Sequence, residues 1–374
     1  MFFGKGFTLG KIFGITIRID FSWFIIFLII SQAFTSQYFT DFPKFSPLTS
    51  IILGVVTSIL VFSCALIHEL SHSIVGNRYG AQIKRITLFV FGGAAELSNE
   101  PSSPGIEFKM AVVGPLTSFL LGFLMWGLLI LSRNNSWPTE AQVVIQSLRY
   151  FNFGVGIFNL LPGYPLDGGR ILRSFLWWRR RDLISATTTA ASFGKALGFG
   201  FILIGLVLFI FVDSLSGVWI ALVGYFLNFA AGMSAEQSKL GVELSKVKAA
   251  DLMAKKVEVV SSDLTVLELF EDYFLKRKFS GFPVSKDGKL IGMVYIDSIA
   301  KKENVRKKAN ILTITTKLTK KQILTPQTSI LQALKIMGQH HLPSLPVLQN
   351  EKLVGIISQT DINYYLTVKS AALD

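Results

Sequence analysis

Six stretches of about 20 mostly apolar residues fill the first 235 positions of this chain, and none follows them. They cover 19–37, 50–76, 108–131, 141–161, 193–212 and 217–233. A helix of about 20 residues crosses the hydrocarbon core of a bilayer. Backbone placed in lipid must satisfy its own hydrogen bonds, so such stretches fold as helices. The expected membrane body is therefore a multi-pass α-helical bundle of about six spans over residues 1–235. Composition agrees: 51% of the 374 residues are hydrophobic and 16% charged, where a soluble chain carries roughly a quarter charged. From Ser234 the sequence turns polar. Residues 236–246 read as a linker or short helix, and a water-soluble body follows.

The net charge is +13, but it does not point to nucleic acid. The basic residues gather where apolar stretches end, as at Arg78, Lys84 and Arg85, and again from Arg170 and Arg173 to Arg179, Arg180 and Arg181. Such clusters hold loops on the cytoplasmic side. With Lys5, Lys11 and Arg18 they place the N-terminus and the C-terminal body in the cytoplasm. The loops near Asp41, over 134–140 and at Asp213 then lie outside, Lys44 being a weak exception. A plasma membrane is the expected location and the lipid bilayer a partner, with no nucleic-acid partner. The single cysteine, Cys64, allows no internal disulfide and no multi-cysteine metal cage. No small-residue cleavage site follows the first apolar stretch, which reads as a retained span.

Between the second and third stretches, the run from Arg85 to Phe91-Gly92-Gly93 is β-rich and too short to span. It is either a short strand or hairpin at membrane depth, tolerated where protein or water covers it, or a plain cytoplasmic loop.

The second stretch ends in His68-Glu69-Leu70-Ser71-His72. Positions i and i+4 share a helix face, so both imidazoles can reach one metal ion. Zinc in catalytic sites takes three protein ligands and leaves a position for water. Glu69, beside the first histidine, is placed to take a proton from that water, as in HExxH metalloproteases. Ionisable residues are costly in an apolar span and mark functional sites. The other two histidines, His340 and His341, lie in the C-terminal body. Asp167, in Asn159-Leu-Leu-Pro-Gly-Tyr-Pro-Leu-Asp167-Gly-Gly-Arg170, is the candidate third ligand. It reads equally as the cap of a helix following a membrane-exit turn.

An HExxH in a membrane span, followed by N-x-x-P-x-x-x-L-D-G over residues 159–168, resembles the site-2 protease family of intramembrane zinc metalloproteases. The resemblance implies one Zn2+ per chain held by His68, His72 and Asp167, with Glu69 as general base. It implies that Asn159 positions or stabilises the reacting carbonyl. The segment ending in Gly92-Gly93 is similar to that family's strand beside the active site, whose edge can take an unwound substrate, and Gly114-Pro115 also fits its pattern. The expected substrate is a transmembrane segment of another membrane protein, reached by water through a polar channel from the cytoplasm.

The C-terminal body contains an internal repeat: Phe282-Pro-Val and Leu290-Ile-Gly-Met-Val in one copy, Leu345-Pro-Val and Leu353-Val-Gly-Ile-Ile in the other. Each copy is expected to be a β-α-β-β unit, over 247–305 and 318–370, so that the two form a cytoplasmic α/β pair. The pair resembles tandem CBS modules, which implies adenine nucleotide (ATP, ADP or AMP) between the halves. Ser358 and Asp361 match the phosphate- and ribose-binding positions. The first copy departs, with Tyr295 where the hydroxyl residue belongs and Asp297 one place early. Homodimerisation through the pair, without a ligand, is the competing use. A transporter or channel regulated by such modules explains the layout but not the His68–His72 spacing, and a non-catalytic scaffold has no need of Glu69.

Overall fold

The computed structural model describes residues 6–90, 92–96, 101–212, 215–277, 279–300 and 309–371. Asp213, Phe91 and the last residues of the first repeat (301–305) lie outside them. The chain divides into two compact units, Met1–Ser238 and Lys239–Asp374.

The first unit opens on a hairpin absent from the expectation above. Strands β1 (Gly6–Ile12) and β2 (Ile15–Asp20) pair antiparallel around Phe13-Gly14, both at positive φ, the geometry of a tight two-residue turn. Alternation along β2 buries Ile15, Ile17 and Ile19. β2 then pairs parallel with β3 (Arg85–Phe89), which pairs antiparallel with β4 (Gly92–Glu96). The sheet order is β1-β2-β3-β4, leaving β4 at one edge. Of the two readings of the Arg85 segment, the strand is the one found. The apolar residues of the β1–β2 hairpin run directly into those of the first span, so hydropathy alone does not separate the two.

Among the described residues seven helices follow: α1 (Trp23–Asp41), α2 (Pro47–Arg78), α3 (Pro104–Asn134), α4 (Thr139–Asn159), α5 (Asp167–Arg180), α6 (Leu183–Val212) and α7 (Leu215–Lys246), the last ending beyond the boundary of the unit. Ser46 and Ser103 cap α2 and α3, each followed by proline at the first helical position, where its missing N–H costs nothing. Among the described residues five helices (α1, α2, α3, α6 and α7) are long and apolar enough to cross a membrane. The stretch 141–161 is also a helix, α4, but Gln142, Gln146, Arg149 and Asn152 leave it short of that standard. Residues 236–246 continue α7 rather than forming a separate linker.

The long helices of this unit turn many large apolar side chains outward. Along α2 the buried positions are Ser50, Gly54, Thr57, Ser58, Val61, Cys64, His68, Leu70, His72, Ser73 and Gly76, mostly small or polar, while Ile51, Ile52, Ile59 and Ile67 face outward. Small residues let helices approach where lipid competes for large apolar side chains. Tyr38 of α1 is buried and its hydroxyl bonds Thr57 of α2 at 3.0 Å and Ser147 of α4 at 2.7 Å.

The second unit is α/β. β5 (Val260–Ser261), β6 (Gly281–Lys286) and β7 (Lys289–Tyr295) form one sheet, and β8 (Ser344–Gln349) with β9 (Lys352–Ser358) forms another. The two hairpins repeat each other in register. Gly281 faces Tyr295 as Ser344 faces Ser358, and each carries one irregularity, at Val284/Ser285 and Val347/Leu348. The copies exchange their leading segments: Ala254 bridges to Ile356 and Thr316 to Met293. The buried Tyr295 hydroxyl donates to the Ser344 carbonyl at 2.9 Å, and burial pushes its pKa well above the usual tyrosine range.

Candidate metal centre

α2 delivers His68 and His72 to one face, and the rings meet edge to face with centroids 4.9 Å apart. Asp167 arrives in the first turn of α5, buried like both histidines. Its Oδ2 lies 3.2 Å from His68 Nε2 and 3.1 Å from His72 Nε2, and the two Nε2 atoms are 3.3 Å apart. Among the described residues this is the one cluster of histidine, cysteine and acidic side chains able to share an ion, its ligand atoms all within 4.8 Å of one another. Asp167 thus both opens a helix and turns inward. The two readings of it were not exclusive.

The far side of each ring is held as well. His72 Nδ1 bonds the Met110 carbonyl at 2.5 Å, and His68 Nδ1 bonds the Ser118 hydroxyl at 2.8 Å. A carbonyl only accepts, so His72 Nδ1 carries the proton and, in the neutral ring, Nε2 presents a bare lone pair. That lone pair faces a carboxylate and a second imidazole nitrogen. Three electron-rich atoms converging in a buried place suit a cation, and the donor set is one that zinc accepts.

Glycines make the convergence possible. A Cβ at Gly114 of α3 would fall inside the radii of His72 Nε2 and His68 Nε2. At Gly168 it would meet the Leu160 carbonyl, and at Gly169 the backbone of Gly163 and Tyr164. Glu69 is half-buried, one residue along from His68. Gly93 of β4 packs on it, where a Cβ would come within 2.6 Å of Glu69 Cγ.

The comparisons agree with this geometry. The family profile described as peptidase family M50 matches residues 56–142 and 128–205, and that of the CBS domain matches 249–304 and 316–367. A zinc metalloprotease of Methanocaldococcus jannaschii is 32% identical over 352 residues, covering 94% of this chain and 93% of its own length. A Synechocystis protein provisionally named a zinc metalloprotease is 32% identical over 300 residues, covering 80% and 78%. The chain belongs to peptidase family M50. It is a multi-pass membrane zinc metalloprotease of the site-2 type with a C-terminal CBS pair. A solved site-2 protease from M. jannaschii is 30% identical, at a TM-score of 0.45, covering 62% of this chain and 95% of that one.

This M50 protease carries its other expected residues at helix ends. Asn159 is the last residue of α4, half-buried, and among the described residues it makes no hydrogen bond to His68, His72 or Asp167. Ser358 and Asp361 face each other at the start of the last helix (Gln359–Ala371). Ser358 donates from N and Oγ to Asp361 Oδ2 at 2.9 and 2.7 Å, and Asp361 N donates to Ser358 Oγ at 3.2 Å. That is a reciprocal capping arrangement. In the first copy Tyr295 occupies the matching place and points into the core. The sequence reading missed Ser118 and the Met110 carbonyl, which contact the histidines. It also missed a buried ion pair between Glu107 of α3 and Arg173 of α5. A charged residue near each end of the Gly114 and Asp167 motifs was the available signal.

Proposed function

We propose that this chain hydrolyses a peptide bond inside a transmembrane segment of another membrane protein. His68, His72 and Asp167 would hold one zinc ion, Glu69 would serve as general base, and Asn159 would steady the developing oxyanion. The observation that carries the reading is the convergence of His68 Nε2, His72 Nε2 and Asp167 Oδ2 within hydrogen-bonding distance, both Nδ1 atoms being engaged elsewhere. Zinc bound there would supply Lewis acidity, lowering the pKa of a coordinated water and polarising a carbonyl.

The chain's own groups supply the rest. Glu69 accepts the proton of the attacking water and returns it to the leaving amide nitrogen, the shuttle expected of a general base. β4 lies at the sheet edge with Gly93 against Glu69, so an unwound substrate segment adding to that edge would pass the base. Asn159, at the end of α4, offers an amide donor of the kind that stabilises oxyanions. Replacing Glu69 by Gln should leave zinc content unchanged and stop cleavage of a co-expressed membrane substrate. Cleavage at the original rate by that variant would refute the assignment.

Adenine nucleotide at the CBS pair, with Ser358 and Asp361 as ligands, would then regulate cleavage, and the pair would bring two copies together. The support is the matching sequence pattern and the half-exposed hydroxyl–carboxylate pair. Calorimetry of the full chain with ATP, ADP and AMP tests the nucleotide, and absence of heat at millimolar ligand removes it. Both termini would lie in the cytoplasm, at the plasma membrane; the basic loops support the orientation. Reporter fusions at each end test that orientation.

A further inference from the structure

α3 donates no side chain to the proposed zinc site, yet one stripe of it touches the support of all three ligands. Glu107, Met110, Gly114 and Ser118 recur every three or four residues and are all buried, so they share one helix face. Ser118 holds His68 Nδ1, the Met110 carbonyl holds His72 Nδ1, and Gly114 packs on both Nε2 atoms. Glu107, fully buried, pairs with Arg173, whose Nε donates to Glu107 Oε1 at 2.6 Å. Arg173 lies under two turns beyond Asp167 on α5, and its guanidinium stacks 5.1 Å over the Tyr164 ring in the loop that leads into Asp167. The side chain therefore fastens α5 and its leading loop to the same stripe.

We propose that α3 is the template that sets the metal affinity of the centre, with Ser118 a positioning residue for His68 and Glu107, acting through Arg173, a positioning residue for Asp167. The inference rests on the zinc reading above. A buried charge is costly unless paired, and a pair joining two helices at this depth fixes their relative placement. Asp167 sits on a short helix with its side chain at the first turn, so a small rotation of α5 would carry Oδ2 away from the imidazoles. Outer-shell partners of metal ligands are worth about 10–100-fold in affinity.

The test is zinc affinity of the full-length chain in detergent, measured against a competing chelator. Variants are Ser118→Ala, Glu107→Gln, Asp167→Asn and the Glu107→Gln/Asp167→Asn pair, with His68→Ala as control. Ser118→Ala and Glu107→Gln should each weaken zinc about 10–100-fold, and Glu107→Gln should add less than about twofold once Asp167 is Asn, because coupled residues are not additive. Unchanged affinity in both single variants overturns the proposal. So does an equal Glu107→Gln effect in both backgrounds, which would make its role general packing. If Glu107→Gln does not fold, Arg173→Lys keeps the charge but loses the planar fork and the stacking on Tyr164, and it carries the same comparison. Zinc binding by His68→Ala at wild-type strength would instead reject the zinc reading itself.

Discussion

Individual side chains at the centre do more than their residue types announce. Asp167 begins a helix and faces two imidazoles, and Gly114 matters for the atom it lacks. Gly114→Ala should abolish stoichiometric zinc without unfolding the bundle, because the added methyl takes the space of both Nε2 atoms. Metal analysis beside a thermal melt checks this, and full zinc content would refute it. In the second unit, Ser358 caps the last helix whether or not nucleotide binds. Ser358→Ala should lower the stability of that unit by about 1 kcal/mol in ligand-free protein, read by chemical denaturation. Tyr295 makes a pH prediction. Its pKa in the fold is raised by burial, so the unfolded chain loses its proton first, near pH 10. Stability is intact below that pH and falls as pH rises beyond it. The alkaline decline should be reduced in Tyr295→Phe, and an identical decline in both proteins would place its cause elsewhere.

Elements in the first unit are arranged by small residues and by a sheet built from distant segments. α6 buries Ala186, Ala190, Gly194 and Gly198, and a Cβ at Gly194 would strike the Tyr164 carbonyl in the loop before Asp167. Gly194→Leu should therefore lower thermal stability and zinc content together. A fall in melting temperature at full zinc loading would show that the loop moves independently of Asp167. β4 is short and glycine-rich, and among the described residues β3 is the strand that pairs with it. Ala94→Pro removes a backbone donor from this strand and should impair cleavage more than zinc binding, which depends on α2, α3 and α5.

At the scale of the molecule, two units of opposite solvent preference share one chain. Chelation should stop cleavage and zinc should restore it, while the melting of the CBS unit stays unmoved by either treatment, since its fold contains none of the proposed ligands. A CBS melt that tracks zinc would locate a further ion in that unit.

Much of this protein was settled by local chemistry. Apolar length determined which segments become long helices, because lipid offers the backbone no partners. The repeat of Phe282-Pro-Val and Leu345-Pro-Val determined that the C-terminal hairpins would match in register. The i, i+4 histidines determined that two ligands would share a face. Tertiary structure alone decided that β2, far from β3 in sequence, would complete its sheet, because pairing depends on which edges meet. It decided that the stretch 141–161 would bury Asn152 beside Val143, Val144 and Leu148. It also decided that a helix with no metal ligand, α3, would touch both histidines and pair with Arg173 of α5, a consequence of helix packing that no spacing within one segment encodes.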